Sequence, residues 1–349
     1  MHWRLNPLTR QKFKRFRRLR RGWWSLLLLG VLLLLAVGAE LLVNSRALIV
    51  HYGGRTYFPT YTRFHPGTDF GENYSYEVDY RKLRERFRRE RSGNWLVIPV
   101  VPFNPYENSF QTSSYPPTPP SFSGRHFLGT DTTGRDILAR LFYGFRTAIS
   151  FALLYLAFVY AIGISIGCAM GYWGGNFDLA AQRLVEIWSN LPFLYIVIIV
   201  ASIVTPNLAS LLVIVVLFSW TGMTYYMRTA TYKEKSRDYV AAAEVAGAGG
   251  MRIMFHHILP NAFSTVVTFV PFTVSDAITA LTALDFLGFG LPPPTPSWGE
   301  LLRQGTDNLN APWIVSSTVV ALVIVLSLVT FIGEAVREAA DPKTFAIYE

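Results

Sequence analysis

One cysteine, Cys168, stands among 349 residues. No disulfide can form within such a chain, and no cysteine metal site can be built. Cys168 lies in an apolar run and reads as a small apolar side chain. Charge is scarce too, at 16% of residues against about 25% in soluble domains. The dipeptide Gly-Lys is absent, which excludes the G-x-x-x-x-G-K-[ST] loop that cradles nucleotide phosphates. His256 and His257 are adjacent, so on a helix of 3.6 residues per turn they point apart and cannot share a metal. No metal is expected. No convergent set of His, carboxylate or Cys is present either, and the chain does not read as an enzyme.

Apolar residues are plentiful, at 51% with mean hydropathy +0.28, and they fall in long runs. A helix needs about 20 mostly apolar residues to cross a hydrocarbon core of about 30 Å. The runs predict an all-α integral membrane protein of about six spans, near 23–43, 148–172, 191–204, 209–227, 262–284 and 313–332. The third is the shortest, and Pro192 and Pro206 bracket it. A short polar link, 173–190, leads into it. Gly163, Gly167 and Gly171 fall four apart in the second span, a stripe that permits close helix approach.

The net charge of +9 has one source. Of the 32 basic residues, nine lie within 1–22 with no acid beside them, and the other 23 equal the 23 acids. A basic run can bind nucleic acid or anionic lipid. Trp23 and Trp24 and an apolar run follow at once, so 1–22 reads as a cytoplasmic tail beside membrane lipid, with no nucleic acid involved. A cleaved signal peptide would have a shorter apolar run. An even span count puts both termini in the cytoplasm, the tail 342–349 included. The segment 44–147 then lies outside, in the periplasm, as an insert before a five-helix core at 148–341. Within it, 81–91 reads as a basic helix, and 95–103 is apolar but too short to cross.

The most basic short loop, 228–261, falls inside on the same count. Asp238 can cap a helix start, and Tyr239–Ala246 is rich in helix-forming alanine. Gly247 ends or bends that helix. A second stretch runs to Leu259, where Pro260 stops it. An exposed helix of small residues suits close contact with a partner. A plain amphipathic linker on the membrane surface is the other reading.

These residues carry a resemblance. Tyr239-Val240-Ala241-Ala242-Ala243-Glu244, Gly247 and His257-Ile258-Leu259-Pro260-Asn261 resemble the cytoplasmic loop of binding-protein-dependent ABC importer permeases, with Ala241 in place of the usual Glu. Gly129, Asp131, Gly134, Arg135 and Asp136, within His126–Asp136, resemble the stretch before the second helix of dipeptide and oligopeptide permeases. Leu284–Leu291 with Pro296, Ser297, Trp298 and Gly299 resembles their external link, with Asp285 where Ser is usual. The long insert and Asp285 are most similar to Yej-type permeases, which import oligopeptides and the peptide antibiotic microcin C. The resemblance implies a type I importer permease fold and a pore-forming role. It implies two ATPase domains, holding ATP and Mg, that dock on the cytoplasmic loops of two permease subunits, on this chain at Tyr239, Ala242, Ala243, Glu244, Gly247, His257, Leu259 and Pro260, with no cofactor on this chain. It implies a second homologous permease subunit and a periplasmic peptide-binding protein.

Two residue groups have competing readings. Asp276 sits mid-membrane, where a charge costs about 2.5–3.5 kcal/mol. It either lines the pathway and attracts cationic groups or pairs with a neighbouring helix. The 129–136 group either caps a surface helix or touches the binding protein. A secondary transporter would need paired ionisable residues and repeated halves, and neither is evident. A structural subunit of another membrane complex is the remaining alternative.

Overall fold

The computed structural model describes residues 7–90, 93–109 and 115–340. Arg4 and the tail 342–349 lie outside them. The chain begins with the basic α1 (Pro7–Arg18), the apolar α2 (Arg20–Val37) and the single turn α3 (Ala39–Leu42). A small lobe follows, built from β1 (Ile49–Tyr52), β2 (Arg55–Tyr57), α4 (Tyr80–Glu90) and β3 (Trp95–Val97). The bundle comprises α5 (Ile137–Trp173), α6 (Gly175–Ser189), α7 (Phe193–Ile203), α8 (Leu208–Lys235), α9 (Asp238–Val245), α10 (Gly250–Arg252), α11 (Leu259–Phe286), α12 (Trp298–Asp307) and α13 (Pro312–Ala340).

Five of these helices are long and apolar enough to cross a membrane: α2, α5, α8, α11 and α13. The packing shows where a sixth crossing lies. A Cβ added at Gly163 would stand 2.7 Å from the Met223 Cβ, one at Gly167 2.5 Å from the Thr224 carbonyl oxygen, and one at Gly171 2.6 Å from the Thr231 Cβ. The glycine stripe therefore seats α5 directly on α8. Residue numbers rise together along both, so the two helices run parallel. The chain between them must return across the bundle. It does so beside α8: Asp178 meets Arg228 and Tyr232 low on α8, Trp188 donates to the Leu217 carbonyl at 2.6 Å, and Phe193 packs on Phe218. The sixth crossing is α6 and α7 together, bent by 65° at the break between them.

This revises the third span. The expected link 173–190 is largely helix, and it forms the first half of the crossing. Its polar residues hid it from a hydropathy reading. They satisfy one another instead: Gln182 and Arg183 both donate to Glu186, and Asp178 is held by Arg228. Pro192, which has no N–H to donate, marks the break. Other helices outrun their apolar runs. α5 starts at Ile137 rather than near 148, because the Asp136 side chain accepts from Ala139 N and caps it.

The insert is not plain loop. Its strands form an antiparallel sheet in the order β2-β1-β3. Gly53 and Gly54, at φ +56° and +78°, turn β1 into β2, a two-residue hairpin that requires positive φ at both positions. Tyr80, Leu83 and Phe87 of α4 pack with Val50 and Phe70 into a core separate from that of the bundle. At the far end of the bundle, Phe16 of α1 packs with Ala335 and Ala339 of α13. Both ends of the described chain therefore lie at one end of the bundle.

Candidate functional site

The loop between α8 and α11 has two faces. Tyr239, Val240 and Ala243 of α9 turn inward onto Ile253, Ile258 and Tyr172. Ala242, Glu244 and Val245 face out, Val245 at 90% exposure. The Tyr239 hydroxyl donates to Glu234 at 2.9 Å. Burial, then that bond, pushes its phenol up to about 12. Arg237 precedes the helix at the cap position without a side-chain bond, so Asp238 is its first residue and not its cap. Gly247 ends α9 at φ +81°. Its N–H bonds to the Glu244 carbonyl at 2.9 Å, and Ala248 N–H bonds to the Ala243 carbonyl at 3.0 Å. This is the Schellman arrangement, which favours glycine in the left-handed position. A Cβ there would meet nothing within 4 Å, so this chain leaves the space open.

Pro260 does not stop the following helix. α10 passes into a π-helical turn, Ile253–Ile258, and on into α11, with Pro260 in the first turn. The first turn tolerates a missing N–H, and the wider turn before it absorbs the change of register. His257 is half-buried in that turn, Leu259 is half-buried, and Pro260 is exposed. Tyr172, at the end of α5, links the loop to the bundle. Its ring would lie 2.7 Å from a Cβ at Gly250, and Lys235 Nζ donates to its carbonyl at 2.5 Å.

Higher in the bundle a cavity of about 660 Å³ opens between α5, α8 and α11, with Arg337 of α13 at its margin. Asp276 lines it beside Tyr155, Ser219 and Thr273. Among the described residues Asp276 has no ion pair and no hydrogen bond, and its side chain is exposed to the cavity. The reading in which it pairs with a neighbouring helix finds no partner there.

The motifs at 126–136 and 284–299, some 160 residues apart in sequence, join into one unit. Gly129 and Gly134 take φ of +79° and +85°. Asp131 accepts from Arg135 Nε at 2.7 Å, and Asp136 holds His126 Nδ1 at 2.8 Å. Arg135 Nη2 reaches Glu300 of α12 at 2.9 Å. Arg140, fully buried, bonds Glu300 and the carbonyls of Pro294 and Thr295. Ser297 caps α12 and donates to Asp285, and Trp298 donates to the Leu141 carbonyl at 3.0 Å. Pro296 is buried, and a Cβ at Gly299 would stand 2.5 Å from the Asp285 Cβ. Asp285 is thus buried and bonded.

Residues 163–346 match the family described as binding-protein-dependent transport system inner membrane component. The inner membrane ABC transporter permease protein YejE of Escherichia coli K12 is 41% identical over 97% of this chain and 98% of its own length. The chain belongs to this permease family. The peptidoglycan transport system permease protein YejE of Agrobacterium fabrum is 38% identical over 97% of this chain and 94% of its own. The dipeptide transport system permease protein DppC of Haemophilus influenzae is 36% identical over 70% and 83%. The solved inward-facing MetNI methionine ABC transporter is 18% identical, with a TM-score of 0.49 over 58% of this chain and 96% of that one.

The chain is therefore a multi-pass inner-membrane permease component of an ABC importer, a class that works with ATPase and binding-protein partners. Two parts of the permease escaped the sequence reading. Glu300 closes the unit formed by Asp131, Arg135 and Arg140, and its position directly after the Pro296–Gly299 motif was the available signal. Asp178 accepts from Arg228 Nε and Nη2 at 2.5 Å each and from the Tyr232 hydroxyl at 2.7 Å, tying α6 to α8. No pattern in the sequence connects residues 50 apart.

Proposed function

We propose that this permease forms one half of the pathway of an ATP-driven importer of oligopeptides. The observation that carries the substrate reading is Asp276, an acid without a partner among the described residues, facing a cavity in the range of small-ligand sites. A carboxylate there attracts the amino terminus or basic side chains of a peptide. The relatives named for dipeptide and peptidoglycan transport support this substrate class. A second, homologous permease subunit supplies the other wall, and a soluble peptide-binding protein delivers the substrate to the face carrying the insert. Both termini and the 228–261 loop face the cytoplasm, which agrees with the basic α1 beside them.

Of the two ATPase domains, which hold ATP and Mg, one docks on the outer face of α9 around Ala242, Glu244 and Gly247, and the other docks on the matching loop of the second permease subunit. Their closure pushes α9, and Tyr172 and Lys235 pass the movement to α5 and α8. The test is uptake of labelled oligopeptides in cells lacking the native gene. Wild type restores uptake and Gly247→Asp does not. Asp276→Asn lowers uptake of basic peptides by about tenfold relative to acidic ones, equivalent to about 1.4 kcal/mol. Equal uptake of both classes by Asp276→Asn and wild type refutes the pathway role of Asp276. No peptide uptake with wild type refutes the substrate class.

A further inference from the structure

The lobe carries positive charge that its own residues leave uncompensated. Of the six basic side chains of α4, three are paired: Arg81 with Glu107, Arg86 with Glu72 at 2.7 Å, and Arg89 with Glu85 at 3.6 Å. Arg84 and Arg88 are not, and neither is Arg125, which stands nearby in a turn at φ +59°. No carboxylate among the described residues lies within ion-pair distance of these three. Arg84 Nε is also buried without a hydrogen-bond partner. Burial first, and then the like charges of Arg125 and Arg88, pull the Arg84 guanidinium below its usual value.

A groove of about 500 Å³ runs beside these cations, between α4 and β3. Trp95 and Val97 wall it at 48% and 43% exposure, and Phe87 and Leu96 close it below. β3 is an outer strand of the sheet. Its outer edge is joined to no strand among the described residues, so backbone donors and acceptors are open to an added chain. Tryptophan and arginine together dominate the energetics of protein interfaces. Three guanidinium groups spread over a helix and a turn make a face wider than one terminal carboxylate fills. That breadth favours a protein segment bearing several acids over a single free peptide.

We propose that this face docks an extended acidic segment of the soluble substrate-binding subunit, with its carboxylates over Arg84, Arg88 and Arg125 and its backbone along β3. The proposal rests on the import reading above. The lobe then acts as a landing arm. Rim charges of this kind steer encounter and are screened by salt.

The experiment uses the complete transporter in lipid nanodiscs and its purified, peptide-loaded binding subunit. ATPase stimulation is read against binding-subunit concentration at about 50 and about 300 mM salt. Arg84→Glu with Arg88→Glu raises the half-maximal concentration about tenfold at low salt, leaves the maximal rate unchanged and flattens the salt dependence. Arg84→Lys with Arg88→Lys keeps the charge and stays within about twofold of wild type. An unchanged half-maximal concentration in the reversal pair overturns the proposal, as does an equal loss in both pairs. Arginine-dependent binding of the lobe to anionic vesicles, with binding-subunit affinity unaltered, assigns the face to lipid and also overturns it. A wild-type complex that no concentration of binding subunit stimulates overturns the import reading itself.

Discussion

Glu300→Gln tests whether the unit that joins the 126–136 and 284–299 motifs is held by charge. Asp131, Arg135, Arg140 and Glu300 form a neutral buried cluster, with Arg140 fully buried and the Glu300 side chain 12% exposed. Removing the charge of Glu300 leaves two guanidinium groups against one carboxylate. Breaking a buried pair costs about 3–5 kcal/mol. Asp131 still stands 3.5 Å from Arg140 Nε, so the lower end, about 3 kcal/mol, is expected. The assay is equilibrium unfolding of the purified chain in mixed micelles, followed by tryptophan fluorescence. Trp298 is a local reporter because it stacks on Phe145. Adding Arg135→Met restores neutrality and leaves Arg140 with Asp131, so the double variant should cost at least about 1 kcal/mol less than the two singles together. A loss below about 1 kcal/mol for Glu300→Gln, or strict additivity in the double variant, refutes the reasoning.

Gly167→Leu should destabilise the chain by about 1–3 kcal/mol, because even its Cβ would stand 2.5 Å from the Thr224 oxygen; unfolding unchanged from wild type would show that α5 and α8 can part freely. Gly247→Ala meets no clash within the chain but must hold φ +81°, so it should lose about 1–2 kcal/mol of local stability, read as faster amide exchange in α9, while Gly247→Asp additionally abolishes peptide-stimulated ATPase activity. The Tyr239 phenol, raised to about 12 from 10.0, binds its proton more tightly when folded; its contribution to stability should be intact below pH 10 and decline as pH rises toward about 12. Titration of α9 stability in Tyr239→Phe should lack that decline, and an identical alkaline profile would refute the assignment.

The chain itself dictated its solvent. Long apolar runs in 23–43, 209–227, 262–284 and 313–332 leave too few polar groups for an aqueous surface, so the membrane spans could be read from composition and length alone. The glycine stripe of α5 was legible for a related reason, since four-residue spacing is a property of one helix. Gly247 was legible as a local rule of backbone conformation. Other features depend on contacts between distant residues, which no local pattern encodes. The helix α6 is polar in sequence, and the charge of its Asp178 is met by Arg228, 50 residues on. The 129–136 group read as a cap for a surface helix or a contact for the binding protein, and nothing in its pattern linked it to Glu300, which Arg135 and Arg140 reach. The sheet of the insert rests on strands of three and four residues, too short for periodicity to register. Whether Asp276 faced a neighbour or a cavity, and which arginines of α4 were already paired, depended on where other helices and loops come to rest. Local sequence sets solvent preference, helix ends and turns. The tertiary structure decides which charges find partners and which remain open, because pairing depends on distance in space and not along the chain.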